Sequence, residues 1–265
     1  MQVGVVHMTT RESSGAYSAM VCAAMERAAQ DGTELVHRWV RHLRRATDSA
    51  TAYPMLLNGP DIVDEVVELA DSGVDAVLIA CSGDPALAEA RSLVDIPVIG
   101  PMETALGLAT GYGWKFGLVT VDDRTWSTHL DQLVHAYRFE PRYVGMRKLR
   151  TPTAQVFTEG FHDPAVVVTD IVDRSRELAD DGADVVLIGS GGLCAFAAEH
   201  GVTRVDGLDV PIIDMLTVGV KFAEMRAELT AKTGLPATSR SGWYGRFPDT
   251  DRVRVAGVFE RRARA

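Results

Sequence analysis

Two short turns hold the residue types best suited to chemistry, Ala80-Cys81-Ser82-Gly83 and Gly189-Ser190-Gly191-Gly192. A thiol, with a reference pKa of ~8.5, becomes an acid or base near neutral pH once its surroundings shift it. A serine hydroxyl is a far weaker acid and needs an activating neighbour. Glycines beside both side chains let backbone N–H groups approach a ligand, which makes each turn a concavity suited to a carboxylate or an enolate oxygen. Cys81 and Ser190 are therefore the candidate catalytic pair, with Ser82, Gly83, Gly191 and Gly192 as candidate substrate contacts. The order Ser82-Gly83-Asp84-Pro85 reads as a helix start, with Asp84 as N-cap and Pro85 at the first helical position. The dipole of that helix is expected to stabilise the Cys81 thiolate.

The turns are paired by an internal repeat. Ser72-Gly73-Val74-Asp75-Ala76-Val77-Leu78-Ile79-Ala80-Cys81-Ser82-Gly83 matches Asp181-Gly182-Ala183-Asp184-Val185-Val186-Leu187-Ile188-Gly189-Ser190-Gly191-Gly192 without a gap, so Cys81 aligns with Ser190. The match resumes at Asp95-Ile96-Pro97-Val98-Ile99-Gly100 against Asp209-Val210-Pro211-Ile212-Ile213-Asp214. Each half thus carries a strand, a turn with chemical potential, a helix and a short strand entered through proline. A repeat this long marks two domains rather than a solenoid.

The elements that must hold these turns are short β-branched runs alternating with amphipathic stretches. Val3 to Met8, Glu34 to Val40, Val74 to Ala80, Pro97 to Ile99, Phe116 to Val121, Arg142 to Lys148, Val185 to Gly189 and Pro211 to Ile213 read as strands; Gly59 to Ser72 and Ala165 to Asp181 read as helices. Alternation of this kind predicts an α/β fold with parallel sheets covered by helices. The expected division is a first lobe over 1–112, with 219–265 packing back on it, and a second lobe over 113–218; the loop signal Gly111-Tyr112-Gly113 marks the join. Ligands of open parallel sheets bind outside the carboxyl ends of the strands. That rule adds His7, Thr9 and Thr10 at the end of the first strand and Thr120 at the carboxyl end of the strand opening the second half, with Tyr53 as a further candidate for the cleft wall. Asp122 is read as the cap of the helix that follows.

Composition narrows the partner class. A net charge of −9 opposes a nucleic-acid surface and favours a small molecule. Three scattered cysteines do not form a disulfide framework, which fits a reducing cytoplasm. No apolar run approaches ~18 residues and the N-terminus carries no export pattern, so neither membrane insertion nor secretion is expected. Cys22 and Cys194 read as packing residues, as do Met20, Met25, Trp39 and Trp126. No metal pattern is found, since His37 and His42 lie beside Arg38, Arg41, Arg44 and Arg45. The glycines form no GxGxxG after the first strand, which argues against a dinucleotide. Ile188 replaces the first glycine of a G-x-S-x-G elbow, and a serine-hydrolase alternative would need His7 or another histidine as base.

Ile79-Ala80-Cys81-Ser82-Gly83-Asp84-Pro85-Ala86-Leu87, Lys115-Phe116-Gly117-Leu118-Val119-Thr120, the second turn, Val220-Lys221-Phe222-Ala223-Glu224 and Thr238-Ser239-Arg240-Ser241-Gly242-Trp243-Tyr244 together resemble the aspartate/glutamate/hydantoin racemase superfamily, within it the hydantoin and allantoin racemase branch. The resemblance implies two pseudo-symmetric flavodoxin-like lobes with an interlobe active site, no metal or organic cofactor, and a homo-oligomer. It further implies a proton taken from a carbon next to a carbonyl by one thiolate and returned on the opposite face by a second thiol. Two departures stand out. The family's second cysteine falls on Ser190, which fits either a one-thiol enzyme of altered chemistry or a cysteine exchanged by design. The family's Asn-Pro-Asn-Thr run after the first strand is His7-Met8-Thr9-Thr10, with only Thr10 kept. The expected function is racemisation or isomerisation of a hydantoin-like ring or small carboxylate. A single-thiol decarboxylase or lyase and a non-catalytic carboxylate-binding protein remain alternatives.

Overall fold

The computed structural model describes residues 1–248, 250–251 and 254–255, except for the side chain of Ser14. Strands and helices alternate as β1 (Gln2–His7), α1 (Arg11–Ala28), β2 (Glu34–Trp39), α2 (Ala52–Asp71), β3 (Ala76–Ile79), α3 (Leu87–Leu93), β4 (Val98–Ile99) and α4 (Pro101–Ala109). The second half continues with β5 (Phe116–Asp122), α5 (Arg124–Ala136), β6 (Tyr143–Pro152), α6 (Thr153–Val156), α7 (Pro164–Asp180), β7 (Val185–Ile188), α8 (Gly191–Glu199), β8 (Arg204–Val205), β9 (Val210–Asp214) and α9 (Met215–Thr233). The first sheet has the order β2-β1-β3-β4 and is parallel throughout. The second has the order β6-β5-β7-β9-β8, with β8 antiparallel at its edge. β8 is too short to leave a periodic signal. Every residue of β3 and β7 is buried, which is why those strands carry no polar alternation.

The repeat in the sequence is a repeat in space. Asp75 Oδ2 accepts the Gln2 N–H at 2.7 Å, and its counterpart Asp184 accepts the N–H groups of Trp114 and Lys115 at 2.8 and 2.9 Å. In each lobe an aspartate entering one strand thereby fastens the start of its neighbour. Gly73 and Gly182 take φ of 91° and 94° in the preceding turn, a left-handed conformation that glycine adopts without strain. Gly4 and Gly117 are equivalent too: a Cβ on either would stand 2.8 Å from a methyl of Leu69 or Leu178, so both glycines let a helix lie close on its sheet.

α9 leaves the second sheet and packs on α4, β3 and β1 of the first. A Cβ at Gly219 would meet Leu78 Cδ1 at 2.7 Å, and Glu224 Oε1 accepts the Gln30 N–H at 2.7 Å. Further on, the Arg240 guanidinium donates to the carbonyls of Arg91 and Val94 and to Asp95. The expectation that 219–265 packs on the first lobe extends at 249, 252–253 and 256–265 outside the described residues. Among the described residues no helix is long and apolar enough to cross a membrane.

Candidate active site

A cleft of about 620 Å³, counted to its open mouth, lies beyond the carboxyl ends of the central strands and is lined by both turns, including Cys81, Ser82, Ser190 and Gly191. Its volume suits a small organic molecule. Cys81 and Ser190 are each 7% exposed, one contributed by each sheet.

The environment of Cys81 corrects the expected thiolate. Burial pushes its thiol up to about 12, against a hydrogen bond from the Gly83 N–H that lowers it and the Asp84 charge that raises it further. No helix dipole reaches it at close range, because α3 begins only at Leu87, after Ala86 in the left-handed region at φ 56°. Asp84 does not cap α3 either. Its carboxylate turns to the start of α4, accepting the N–H groups of Met102 and Glu103 at 3.0 and 2.8 Å and the Tyr137 hydroxyl at 2.8 Å. Burial pushes the Asp84 carboxyl up to about 7, against these donors. The equivalent of Gly100 in the second lobe is Asp214, which caps α9 directly through the N–H groups of Leu216 and Thr217. A Cβ at Gly100 would stand 2.7 Å from Asp84 Cγ, so the glycine makes room for a cap supplied from the catalytic turn. Replacing Asp84 with Ala is expected to destabilise the fold by about 2–3 kcal/mol, from the lost cap and a buried charged acceptor. A urea-unfolding midpoint unchanged from the parent would contradict this capping role.

Ser190 occupies the N-cap position of α8 without making a side-chain cap bond, which leaves its hydroxyl available to the cleft. The first-turn N–H groups of a helix have no intrahelical partners, so the start of α8 offers donors to an oxyanion. The backbone here is held by two donors to the Gly189 carbonyl, Thr120 Oγ1 and Trp126 Nε1, both at 2.9 Å. Thr120 is thus placed as a buried support of the second turn rather than on the cleft wall. Asp123, not Asp122, caps α5 by accepting the Trp126 N–H at 2.9 Å; Asp122 pairs with Lys148.

Ser82 lines the cleft, and its Oγ is buried with no hydrogen-bond partner. An orphaned buried hydroxyl is unfavourable unless a ligand completes it. Ser82→Ala is expected to leave stability unchanged or slightly raised while lowering kcat/KM about tenfold, the size of one lost neutral hydrogen bond. Paired thermal melts and initial rates check this, and an unchanged rate would mean that substrate does not use this hydroxyl.

The remaining predicted positions divide. Gly83 and Gly192 shape the walls: a Cβ on Gly83 would approach Trp126 Cη2 at 2.9 Å, and one on Gly192 would approach Phe157 Cε1 at 2.2 Å. Thr9 and Thr10 are buried where β1 passes into α1, and Thr10 Oγ1 bonds Ser13 Oγ at 2.9 Å. Tyr53 is 70% exposed on α2, away from the cleft wall. His7 packs inside the first lobe, stacked on Trp39 with centroids 4.9 Å apart, and burial, then the charge of His37, lowers its pKa to about 3. No histidine lines the cleft among the described residues, so Ser190 lacks the base a hydrolase would require. Cys194 is fully buried, its thiol donating to the Ile188 carbonyl at 3.3 Å.

Sequence reasoning missed Tyr17, Phe157, Ser49 and Thr153, all on the wall, and took Trp126, also on the wall, for packing alone. Tyr17 comes from α1, whose helix breaks at Gly15 with φ 39°. Its phenol pKa is raised by burial first, then by the charges of Cys81 and Cys194, and a Cβ on Gly191 would lie 3.2 Å from its hydroxyl. Gly15, two residues before Tyr17, was the one local sign of this wall.

Two pseudo-symmetric parallel-sheet lobes that bring a thiol and a hydroxyl, one from each, to a shared cleft define an enzyme acting on a small molecule. The chain belongs to the Asp/Glu/hydantoin racemase family, whose model matches residues 6–223, and is a racemase-type isomerase. It is 35% identical over 182 residues to a hydantoin racemase of Pseudomonas sp. (strain NS671), covering 68% of this chain and 70% of that protein. The structure of an allantoin racemase from Klebsiella pneumoniae superposes with a TM-score of 0.76 at 28% identity, covering 94% of each chain. Unliganded arylmalonate decarboxylase, at 18% identity and a TM-score of 0.59 over 85% of this chain and 92% of that one, shares the fold.

Proposed function

We propose that this chain racemises a hydantoin-type ring at the carbon next to a ring carbonyl, with Cys81 moving the proton on one face and Ser190 serving the other. The observation that carries the reading is the placement of Cys81 and Ser190, from equivalent strand ends, on one largely apolar cleft. The cleft wall has no lysine or arginine among its described residues, and its one carboxylate, Asp123, is engaged in capping α5. A neutral ring carbonyl suits such a wall better than the carboxylate of a free amino acid, which would be buried without a counter-charge. Two of the relatives are racemases named for hydantoin and for allantoin.

In this mechanism the Cys81 thiolate takes the Cα proton and becomes the thiol, while the electron pair moves onto the ring carbonyl oxygen as an enolate. Donors at the start of α8 and the Ser82 hydroxyl stabilise that oxygen, the contribution that usually weighs most. Return of the proton from Cys81 regenerates the starting enantiomer; donation on the other face by the Ser190 hydroxyl gives the mirror image, the serine oxygen taking a proton from solvent water at the cleft mouth as it gives up its own and Cys81 releasing the abstracted proton to solvent to reset the site. A serine on that face makes the inverting step the slow one. Chiral chromatography of 5-substituted hydantoins and allantoin in deuterium oxide tests the reading. Loss of optical activity above background with deuterium at Cα supports it, whereas racemisation without label sinks it. The single thiol also fits one-face protonation after decarboxylation; carbon dioxide release from a substituted malonate would favour that second reading.

A further inference from the structure

We propose that His7, Cys22 and His37 form a site for a divalent d-block cation of the zinc class, on the side of the first sheet covered by α1. His7 Nε2 lies 2.9 Å from His37 Nδ1, and Cys22 Sγ lies 3.7 Å from each. Tetrahedral zinc, with Zn–N of ~2.0–2.1 Å and Zn–S of ~2.3 Å, separates its ligands by about 3.3 Å for N···N and about 3.6 Å for N···S. The observed triangle is therefore one face of such a tetrahedron with its N···N edge a few tenths of an ångström short.

Three elements build the triangle, and none of their residues lies near another in sequence. β1 and β2 pair with Val5 opposite His37 and His7 opposite Trp39, which sets both imidazoles diagonally on one face. α1 lays Cys22 over that face. Trp39 stacks on the His7 ring with an interplanar angle of 9° and fixes its plane. On the far nitrogen of His37, Glu26 Oε1 lies 3.7 Å away, the place where a carboxylate orients a metal-bound imidazole. His37 Nε2 is otherwise buried without a hydrogen bond.

The basic run that argued against a cation in the sequence lies elsewhere. Arg38 alternates to the opposite face of β2, where its charge acts on Glu65 of α2. Arg11 does approach Cys22, and sits 5.0 Å over the Trp39 ring, with Glu26 as the opposing charge. Cys22 and His37 are only part-buried, so a solvent molecule can complete the fourth position. Binding releases the Cys22 proton to solvent as the thiolate coordinates. The ion would clip β1, β2 and α1 together, a structural site apart from the cleft, although Met8 and Tyr17 on the same segments line that cleft.

Titration of the metal-free, reduced full chain with Co(II) tests the site. The expected result is a thiolate-to-cobalt charge-transfer band saturating at one equivalent, a higher melting temperature, and displacement of the band by Zn(II). Cys22→Ser should abolish the band and His37→Gln should weaken binding; Glu26→Gln should weaken it about tenfold, while Cys81→Ser should keep it. Metal-free melting and circular dichroism establish that each variant folds, and His37→Gln carries the test if Cys22→Ser does not. No band in the parent, a band retained in folded Cys22→Ser, unchanged affinity in His37→Gln, or a band lost with Cys81→Ser would overturn the proposal. The last outcome would assign the metal to the cleft.

Discussion

Cys81→Ser lowers racemisation by about 10²- to 10⁴-fold, the range a positioned general acid–base group supplies, and leaves the fold within about 1 kcal/mol of the parent. The substitution exchanges one buried atom on the cleft wall for a smaller one, so the cleft and the neighbouring Asp84 cap survive. What is lost is acidity. Even with the thiol pushed up to about 12 by burial, it remains a stronger acid than the hydroxyl that replaces it. The raised value also gives the sign of the pH dependence. Below it the thiol is the resting form, and each unit of increasing pH raises the thiolate fraction about tenfold. Both kcat/KM and the rate of Cys81 alkylation by iodoacetamide should therefore climb with pH through the neutral and mildly alkaline range without a plateau. Peptide mass spectrometry separates Cys81 from the part-buried Cys22 and the fully buried Cys194. An alkylation plateau near neutrality would show a stabilised thiolate and remove the raised thiol from the mechanism; retained activity in Cys81→Ser would remove Cys81 itself.

Ser190→Cys should raise the racemisation rate by about 100-fold, because it places a second thiol on the face where the parent has only a hydroxyl. Ser190 borders the cleft and makes no side-chain cap bond, so the exchange breaks no capping contact. The same variant discriminates the other readings. A protein that only binds its ligand gains no turnover. A decarboxylase that protonates an enediolate from the Cys81 face alone would gain a donor on the opposite face and form product of lower enantiomeric purity. Chiral product analysis of parent and variant, side by side, separates the three, and an unchanged racemisation rate would refute Ser190 as the serving group of the second face.

The alternation of strands and helices, the repeat and the alignment of Cys81 with Ser190 were legible because each depends on residues close in the chain or on identity between two stretches. The equivalence of Asp75 with Asp184 and of Gly73 with Gly182 was contained in that repeat, and both pairs perform matching tasks in the two lobes. Helix starts were read less well. Ser82-Gly83-Asp84-Pro85 has the composition of a cap, yet Ala86 delays α3 and Asp84 satisfies α4 instead. A local pattern states what a carboxylate is able to cap, but not which helix end lies nearest to it.

By itself, then, the amino-acid sequence determined the lobed parallel-sheet framework and the two turns that meet in it, since strand burial and backbone reversals are encoded over a few neighbouring residues. Tertiary structure decided the rest of the site. It turned Cys81 from an expected thiolate into a thiol, because desolvation depends on every segment that closes over the sulfur. It drew Tyr17, Trp126 and Phe157 into the wall and took His7 away to Cys22 and His37. Those placements follow from the packing of α1, α5 and the α6 region against strand ends distant in the chain.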